Sequence, residues 1–496
     1  MIDYRSFYDL RAPARERETR RHYNRLLRDH YAFLIPPGER VLELGCGLGD
    51  LLAAVQPSRG VGVDFSPAMV AMAKRRHPEL EFLVADAMEG PSVRGFDYVI
   101  LSDLVNDLRD VQGVLGLLRS EAGPGTRLVL NYFNTLWRPI LAAAEAAGAK
   151  APTLLQNWLS SEDMGNLLLL SDWEVVKSER KILWPVRTPL VANLLNRWLA
   201  PFCKHLCLTN FIVARPRSRE ACVQEAGVLS GPEPTCSVVI PARNEEGNLE
   251  AAVRRMPQLG RETEIIFIEG HSRDKTWEKM QELPALFPGR KIMILKQKSK
   301  GKGGAVREAF AQATGDLLFI LDADLTVPPE DLVKFYHVAW SGTGEFVNGV
   351  RLVYPMEQEA MRFLNMVANR LFGLAFSFLL GQPVKDTLCG TKVLRRSAYE
   401  KIAKNRNYFG DFDPFGDFDL LFGAAKLNLR IVDLPIRYQA RTYGETNIQR
   451  WRHGWLLLRM VIFAARRLKF RPVLPPGTEG RGEAAEFEGI SLGKPA

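Results

Sequence analysis

The stretch VLELGCGLGDLL (residues 41–52) decides how the first part of this chain folds. A short, largely apolar run leads into Gly45, Gly47 and Gly49 at alternate positions, and a helical pattern follows at once. Glycine tolerates positive φ and leaves space where a Cβ would collide, so such a turn lets backbone approach a ligand at a strand end. Glu43 lies just before the turn, and Asp64 ends the next predicted strand about twenty residues on, where an acid can accept bonds from two ribose hydroxyls.

Working outward, apolar strands at 40–44, 60–63, 81–84, 98–102 and 127–131 alternate with helical stretches. That alternation predicts a parallel, doubly wound α/β domain over residues 1–215. A Trp- and Leu-rich segment follows at 184–208, broken by Pro185, Pro189 and Pro201. It reads as a helical cap over the sheet, with a lid facing membrane or substrate as the other reading. Residues 216–235 are polar, with Pro and Gly and no periodicity, and read as a linker. A second α/β domain is expected over 236–470, ending in a helix suited to a membrane interface. Residues 471–496, rich in Gly, Glu and Pro, read as a disordered tail.

The second domain has its own ligand-binding pattern. SVVIPARNEEGNLEAAV (237–253) is a buried strand ending at Pro241, a polar turn and a helix. EIIFIEGHSRDKT (264–276) is a strand ending in Glu269, and KGKGGAVREAF (300–310) offers Lys300, Lys302 and glycines suited to a diphosphate. GDLLFILDADLTVPPEDL (315–332) ends a hydrophobic strand in Asp322 and Asp324. Two carboxylates at i and i+2 on a strand end are hard oxygen donors for Mg²⁺ or Mn²⁺, and a metal there would stabilise a departing nucleoside diphosphate.

Bulk properties are those of a globular protein of more than one domain: 496 residues, 46% hydrophobic and 25% charged. The formal net charge of +9, with basic residues beside apolar stretches toward the C-terminus, suits an anionic membrane surface or phosphorylated substrates. No nucleic-acid-binding motif stands out, so no nucleic-acid partner is expected. Six cysteines in so long a chain make no disulfide framework, and a reducing cytoplasm is the simpler compartment. Cys203, His205 and Cys207 fall close together, but no second ligand pair stands at zinc spacing. The charged N-terminus has no apolar core of a signal peptide, and no apolar run reaches the roughly 18–20 residues needed to span a bilayer.

On the ELGCGLG turn, Asp64 and VADAME (84–89), the first domain resembles the class I S-adenosylmethionine-dependent methyltransferases, with a Rossmann-like sheet. The resemblance implies that Glu43 and the Gly45, Gly47 and Gly49 turn hold the methionine part. Asp64 would bind ribose, Asp86 and Ala87 would flank adenine, and Ser102 with Asp103 would face the methyl group. Asp103 serves either as a general base or as a helix N-cap. A binding or scaffolding module is the competing role for this domain.

The second domain resembles the inverting family 2 glycosyltransferases of the GT-A fold, and within them the polyprenyl-phosphate mannosyl- and glucosyltransferases. The likeness includes Gly349-Val350-Arg351, Asp386-Thr387-Leu388-Cys389-Gly390 and Arg441-Thr442-Tyr443-Gly444-Glu445-Thr446. It implies that Pro241, Ala242, Arg243, Glu245 and Glu269 hold base and ribose, that Lys302 attends the diphosphate, and that Asp322 and Asp324 hold metal. The donor would be a UDP- or GDP-sugar, and the acceptor polyprenyl phosphate or a lipid-linked glycan. The family's Asp-Asp-Gly-Ser reads Glu269-Gly270-His271-Ser272 here, and Thr326, Cys389 and Lys385 also depart from the pattern. A glycan hydroxyl would need a base, for which Asp417 and Asp419 are the candidates; a lipid phosphate needs cations instead, from Arg351, Arg370, Lys385 and Lys392. The expected place of work is the cytoplasmic face of the cell membrane.

Overall fold

Fourteen strands form two sheets in the computed structural model, which describes residues 4–19, 22–89, 92–148, 150, 152–154, 156–217, 232–353, 363–406, 417–439, 441, 443 and 450–471. The described residues fall into two compact units: those up to Arg217 together with 466–471, and those between them. Of the expected tail 471–496, all but Arg471 lies outside the described residues.

The first unit holds β1 (Arg40–Leu44), β2 (Arg59–Asp64), β3 (Glu81–Val84), β4 (Tyr98–Ser102), β5 (Arg127–Phe133), β6 (Trp173–Lys181) and β7 (Thr209–Pro216). Their order is β3-β2-β1-β4-β5-β7-β6, and β7 runs antiparallel to both its neighbours. The five strands legible in the sequence form the parallel part. β6 and β7 were not expected, because WEVVKSERK alternates only in part and its charged residues are buried by tertiary partners. A core of Leu42, Leu44, Val99, Leu101, Leu128 and Leu130 fills one sheet face with Val114, Leu115 and Leu118 of the helix Val111–Glu121.

The second unit holds β8 (Cys236–Ala242), β9 (Thr263–Glu269), β10 (Lys291–Lys296), β11 (Leu317–Ile320), β12 (Phe346–Val350), β13 (Lys392–Arg395) and β14 (Ile431–Pro435). Their order is β10-β9-β8-β11-β13-β12-β14. β13 is antiparallel to β11 and β12, while the other pairings are parallel. Val238, Ile240, Ile265, Phe267, Leu317 and Phe319 form the centre of a separate core.

In each sheet the strand order reverses beside the first strand, between β1 and β4 and between β8 and β11. Crevices outside the carboxyl ends of strands at such switch points are where open α/β sheets take ligands. Gly45, Gly47 and Gly49 follow β1, whereas Asp322 and Asp324 follow β11.

Candidate functional site

At the first switch point Gly45, Gly47 and Gly49 have φ of 69°, 53° and 75°. The three glycines are needed for different reasons. A Cβ on Gly49 would stand 2.5 Å from the Phe82 ring and one on Gly45 2.9 Å from Leu104, but one on Gly47 would meet nothing within 4 Å. Gly47 thus faces the open side of the turn. Asp64, 7% exposed, fixes that turn: its carboxylate accepts from the Gly47 and Ser66 amides, both at 2.9 Å.

Glu43 is buried, and its Oε2 has no hydrogen-bond partner. Burial, with the nearby carboxylates of Asp64 and Asp50, pushes its carboxyl well above the ordinary range, although a backbone bond from Leu52 works the other way. An orphaned acceptor beside an open glycine cradle fits a ligand carrying a cationic amino group, which S-adenosylmethionine does.

Asp86 and Ala87 stand at the end of β3, with Asp86 exposed and accepting from the Met88 amide at 2.9 Å. Ser102 donates to Asn131 Oδ1 at 3.0 Å. Asp103 adopts φ 54° ahead of a 3-10 turn but does not cap it; its carboxylate accepts from Asn131 Nδ2 and, at 3.0 Å, from the Tyr23 hydroxyl. Tyr31 donates to the same Asn131 Oδ1 at 2.7 Å. Asn131, Tyr23 and Tyr31 were not foreseen. They reach the strand ends only after β5 and the helix His22–Leu34 pack there, and nothing local marks them. The helix Tyr4–Thr19 adds Tyr8, whose hydroxyl donates to Asp107 at 2.7 Å, and Asp9, which accepts from Ser66 Oγ.

At the second switch point each acid of the DxD pair meets a cation. Lys302, from the helix Gly301–Gln312, sits 2.5 Å from Asp322 Oδ1. Burial raises the Asp322 carboxyl, but Lys302, Lys392 and Arg351 together hold it below its ordinary value. Asp324 accepts from Thr326 Oγ1 at 2.9 Å and from Arg441 at 2.6 Å. The other arm of Arg441 lies 3.2 Å from Glu245, whose second oxygen accepts from Asn248 at 2.7 Å. Burial drives the Glu245 carboxyl up to about 7 against the pull of Arg441 and Asn248, with Asp324 and Asp322 adding to the rise. A Cβ on Gly390 would stand 2.1 Å from Asp322 Oδ2, so only glycine lets that loop close over the acid. Gly247 likewise leaves room for Tyr443, which a Cβ there would meet at 2.6 Å.

Around these acids the β8 and β9 turns interlock. Glu269 is buried and accepts from the Ser272 amide, Asn244 accepts from the Arg273 amide at 2.8 Å, and the Glu245 amide donates to Thr276 Oγ1 at 3.0 Å. Ala242 is buried, Pro241 half-buried and Arg243 exposed at the rim. Two hard carboxylates at one strand end suit Mg²⁺ or Mn²⁺. Among the described residues no third His, Cys, Asp or Glu completes a cluster, so diphosphate oxygens and water would fill the remaining positions.

The four cations expected to meet a lipid phosphate separate into two kinds. Arg351 grips Asp386 with two nitrogens, at 2.8 and 2.9 Å, and lies over the Tyr438 ring. Asn369 donates to Asp386 as well, at 2.8 Å. Lys392 is buried with its ammonium on the Cys389 carbonyl, whereas Lys385 and Arg370 are exposed. Of the two candidate bases, Asp419 is engaged by Arg307 at 3.2 Å; the Asp417 side chain lies outside the described residues. Thr442 and residues 444–446 of the predicted closing motif lie outside them too.

Comparison with known proteins agrees with both domains. Residues 17–178 match the family model of a methyltransferase domain, and residues 237–403 match that of glycosyl transferase family 2. A dolichol-phosphate mannosyltransferase of Pyrococcus furiosus is 30% identical over 43% of this chain and 59% of its own length. Undecaprenyl-phosphate 4-deoxy-4-formamido-L-arabinose transferases are also similar. That of Aeromonas hydrophila is 34% identical over 42% of this chain and 61% of its own. That of Pseudomonas aeruginosa is 31% identical over 34% and 48%. The chain thus spans less than two thirds of the length of these relatives. With a glycine cradle at one switch point and an acid pair at the other, the chain joins a methyltransferase domain to a family 2 glycosyltransferase domain.

Proposed function

We propose that the protein is a bifunctional transferase working at the inner face of a cell membrane. Its first domain transfers a methyl group from S-adenosylmethionine. Its second moves a sugar, with inversion, from a UDP- or GDP-sugar to polyprenyl phosphate or a lipid-linked glycan, in cell-surface polysaccharide or glycolipid synthesis. The observation that carries the reading is the Lys302–Asp322 and Arg441–Asp324–Glu245 constellation at the β8/β11 switch point.

In the first site Glu43 would hold the amino group of the donor, Asp64 its ribose, and Asp86 with Ala87 its adenine. In the second, Pro241, Ala242, Arg243, Glu245 and Glu269 would hold base and ribose, and Asp322 with Asp324 the metal. A divalent cation bound there would neutralise charge on the departing diphosphate. Lys302 and Arg441 are placed to share that charge once ligand oxygens compete for them.

A lipid phosphate is already an anion at neutral pH and attacks the anomeric carbon without a base. The new C1–O bond forms as the bond to the nucleoside diphosphate breaks, and the diphosphate leaves with the electron pair. Exposed Lys385 and Arg370 suit recognition of that acceptor, while Arg351 acts through Asp386 to hold the adjoining loop. The lipid acceptor is favoured over a glycan hydroxyl because Asp419, one candidate base, is already ion-paired with Arg307. The exposed Trp455, Leu458 and Ile462 of the helix Arg450–Ala464 suit contact with lipid. No helix among the described residues is long and apolar enough to cross a membrane.

Calorimetric titration with S-adenosylmethionine, and with a panel of sugar nucleotides with and without Mn²⁺, tests the proposal. Binding of both ligand classes, the second dependent on metal and lost in Asp322→Asn, is the expected result. No binding of S-adenosylmethionine would reduce the first domain to a scaffold, and sugar transfer undiminished in Asp322→Asn would overturn the second assignment.

A further inference from the structure

The segment between β6 and β7 is a part of the first unit that its ligand site does not explain. Pro189–Asn193 forms one helical turn, Leu194–Leu199 continues as a wider π-turn, and Lys204–Leu206 closes the segment as a 3-10 turn. A helical cap would turn its large apolar residues inward. Instead, between Val186 and Leu206 the buried positions are Ala192, Ala200 and Pro201, while Leu190, Leu194, Trp198, Phe202 and Leu206 are exposed.

Leu190 is 88% exposed, Leu194 60%, Trp198 48%, Phe202 69% and Leu206 57%. They recur every fourth residue, which on a helical turn keeps successive side chains on one side. Trp198 and Phe202 both pack on Phe470, with ring centroids 5.3 and 5.8 Å away, so the row stays together beyond the regular turns. The Trp137 indole donates to the Leu206 carbonyl at 2.8 Å and brings exposed Leu136 alongside. Together these side chains leave on the order of several hundred Å² of apolar surface in water, at or above the largest patch of a typical monomer.

Charge identifies the partner. From Ile182 to Arg217 the chain has no Asp or Glu, but it carries Arg187, Arg197 and Lys204 beside the row. Arg197 donates to the Phe470 carbonyl at 2.9 Å, which joins the row to the basic stretch 466–471. Burial, then the like charges of Lys469 and Arg180, lower the Lys204 pKa despite Glu179, so cations are crowded there. A second protein surface covering such a patch would have to be both apolar and acidic. A bilayer with anionic headgroups supplies an apolar interior under a negative surface, with Trp favoured at the boundary.

We propose that the 186–206 segment of the methyltransferase unit is a docking surface for an anionic lipid bilayer, its apolar row entering the headgroup boundary and its cations meeting the lipid phosphates. This deepens the membrane-peripheral part of the proposed function and rests on that reading. It implies that the methyltransferase unit has its own contact with the membrane, besides any made by the helix Arg450–Ala464.

The test is flotation of the full chain with vesicles of phosphatidylcholine alone or mixed with phosphatidylglycerol. Three variants are compared with the native chain, each checked for an unchanged unfolding transition. These are Leu190→Ser/Leu194→Ser/Phe202→Ser, Arg187→Gln/Lys204→Gln, and, in the second unit, Trp455→Ser/Leu458→Ser. The native chain should bind the mixed vesicles in preference. The apolar and charge variants should each lose about tenfold or more in partitioning, from removed apolar contact and from roughly 1 kcal/mol per basic residue.

Native binding that survives both 186–206 variants but falls in Trp455→Ser/Leu458→Ser would overturn this surface and leave the peripheral reading intact. A native chain that binds neither vesicle would overturn both. Self-association without lipid, abolished by the apolar variant, would overturn the bilayer in favour of a second copy of the chain.

Discussion

Burial raises the pKa of two carboxylates in the second unit, but their partners leave the net shifts in opposite directions. Asp386 is fully buried, which by itself raises its pKa, but the Arg351 fork and Asn369 more than compensate and bring it to about 2. Its folded pKa is thus depressed from an unfolded value of about 4, so its contribution is present above pH 4 and lost as pH falls through 2. The contribution is on the order of 2–3 kcal/mol. Asp386→Asn should cost about 3–5 kcal/mol in denaturant unfolding, because Arg351 is left buried and unpaired. A loss below about 1 kcal/mol would show that water replaces the carboxylate. Glu245 goes the other way: with a folded value near 7, its contribution is full below about pH 4 and fades as pH rises through 7. Removing the guanidinium in Arg441→Gln should raise that midpoint further, followed by infrared titration of the labelled carboxyl. A midpoint that stayed near 7 would mean that Arg441 does not reach Glu245 in solution.

At the scale of the element, the glycine turn after β1 separates fold from ligand. Gly49 has both a positive φ and no room, so Gly49→Ala should unfold the first unit more easily by about 1–3 kcal/mol. Gly47 has a positive φ but open space, so Gly47→Ala should cost only about 1 kcal/mol of stability. Its new methyl faces the cradle, however, and S-adenosylmethionine affinity should fall tenfold or more by calorimetry. Equal effects of the two substitutions on stability and affinity would remove the distinction. The turn was legible in the sequence because its constraint is local, a conformation that glycine adopts without strain. Its surroundings were not: β7 pairs antiparallel with β5 and β6 with β7, and on that added strand Lys177 and Glu179 are buried against Phe33, His30 and Lys469.

For the molecule as a whole, the two cores share no residue, and each site stands at the switch point of its own sheet. Asp64→Asn should therefore weaken S-adenosylmethionine binding with sugar transfer kept, and Asp322→Asn should do the reverse, assayed on the same preparation. A loss of both activities from either substitution would show coupling between the two units.

The sequence by itself determined the two α/β folds, the turns at both strand ends and the acid pair, because strand and helix periodicity, glycine conformation and i, i+2 spacing are properties of neighbouring residues. Only the tertiary structure decided what those acids meet. Arg441 reaches Asp324 across 117 positions, Tyr31 reaches Asn131 across 100 and Arg351 reaches Asp386 across 35. It also decided that Arg351, expected to greet a phosphate, is occupied by a carboxylate, and that Leu190, Leu194, Trp198, Phe202 and Leu206 of the 184–208 segment are exposed. Charge pairing and burial depend on which distant segments the closed chain brings together, and no local pattern encodes that.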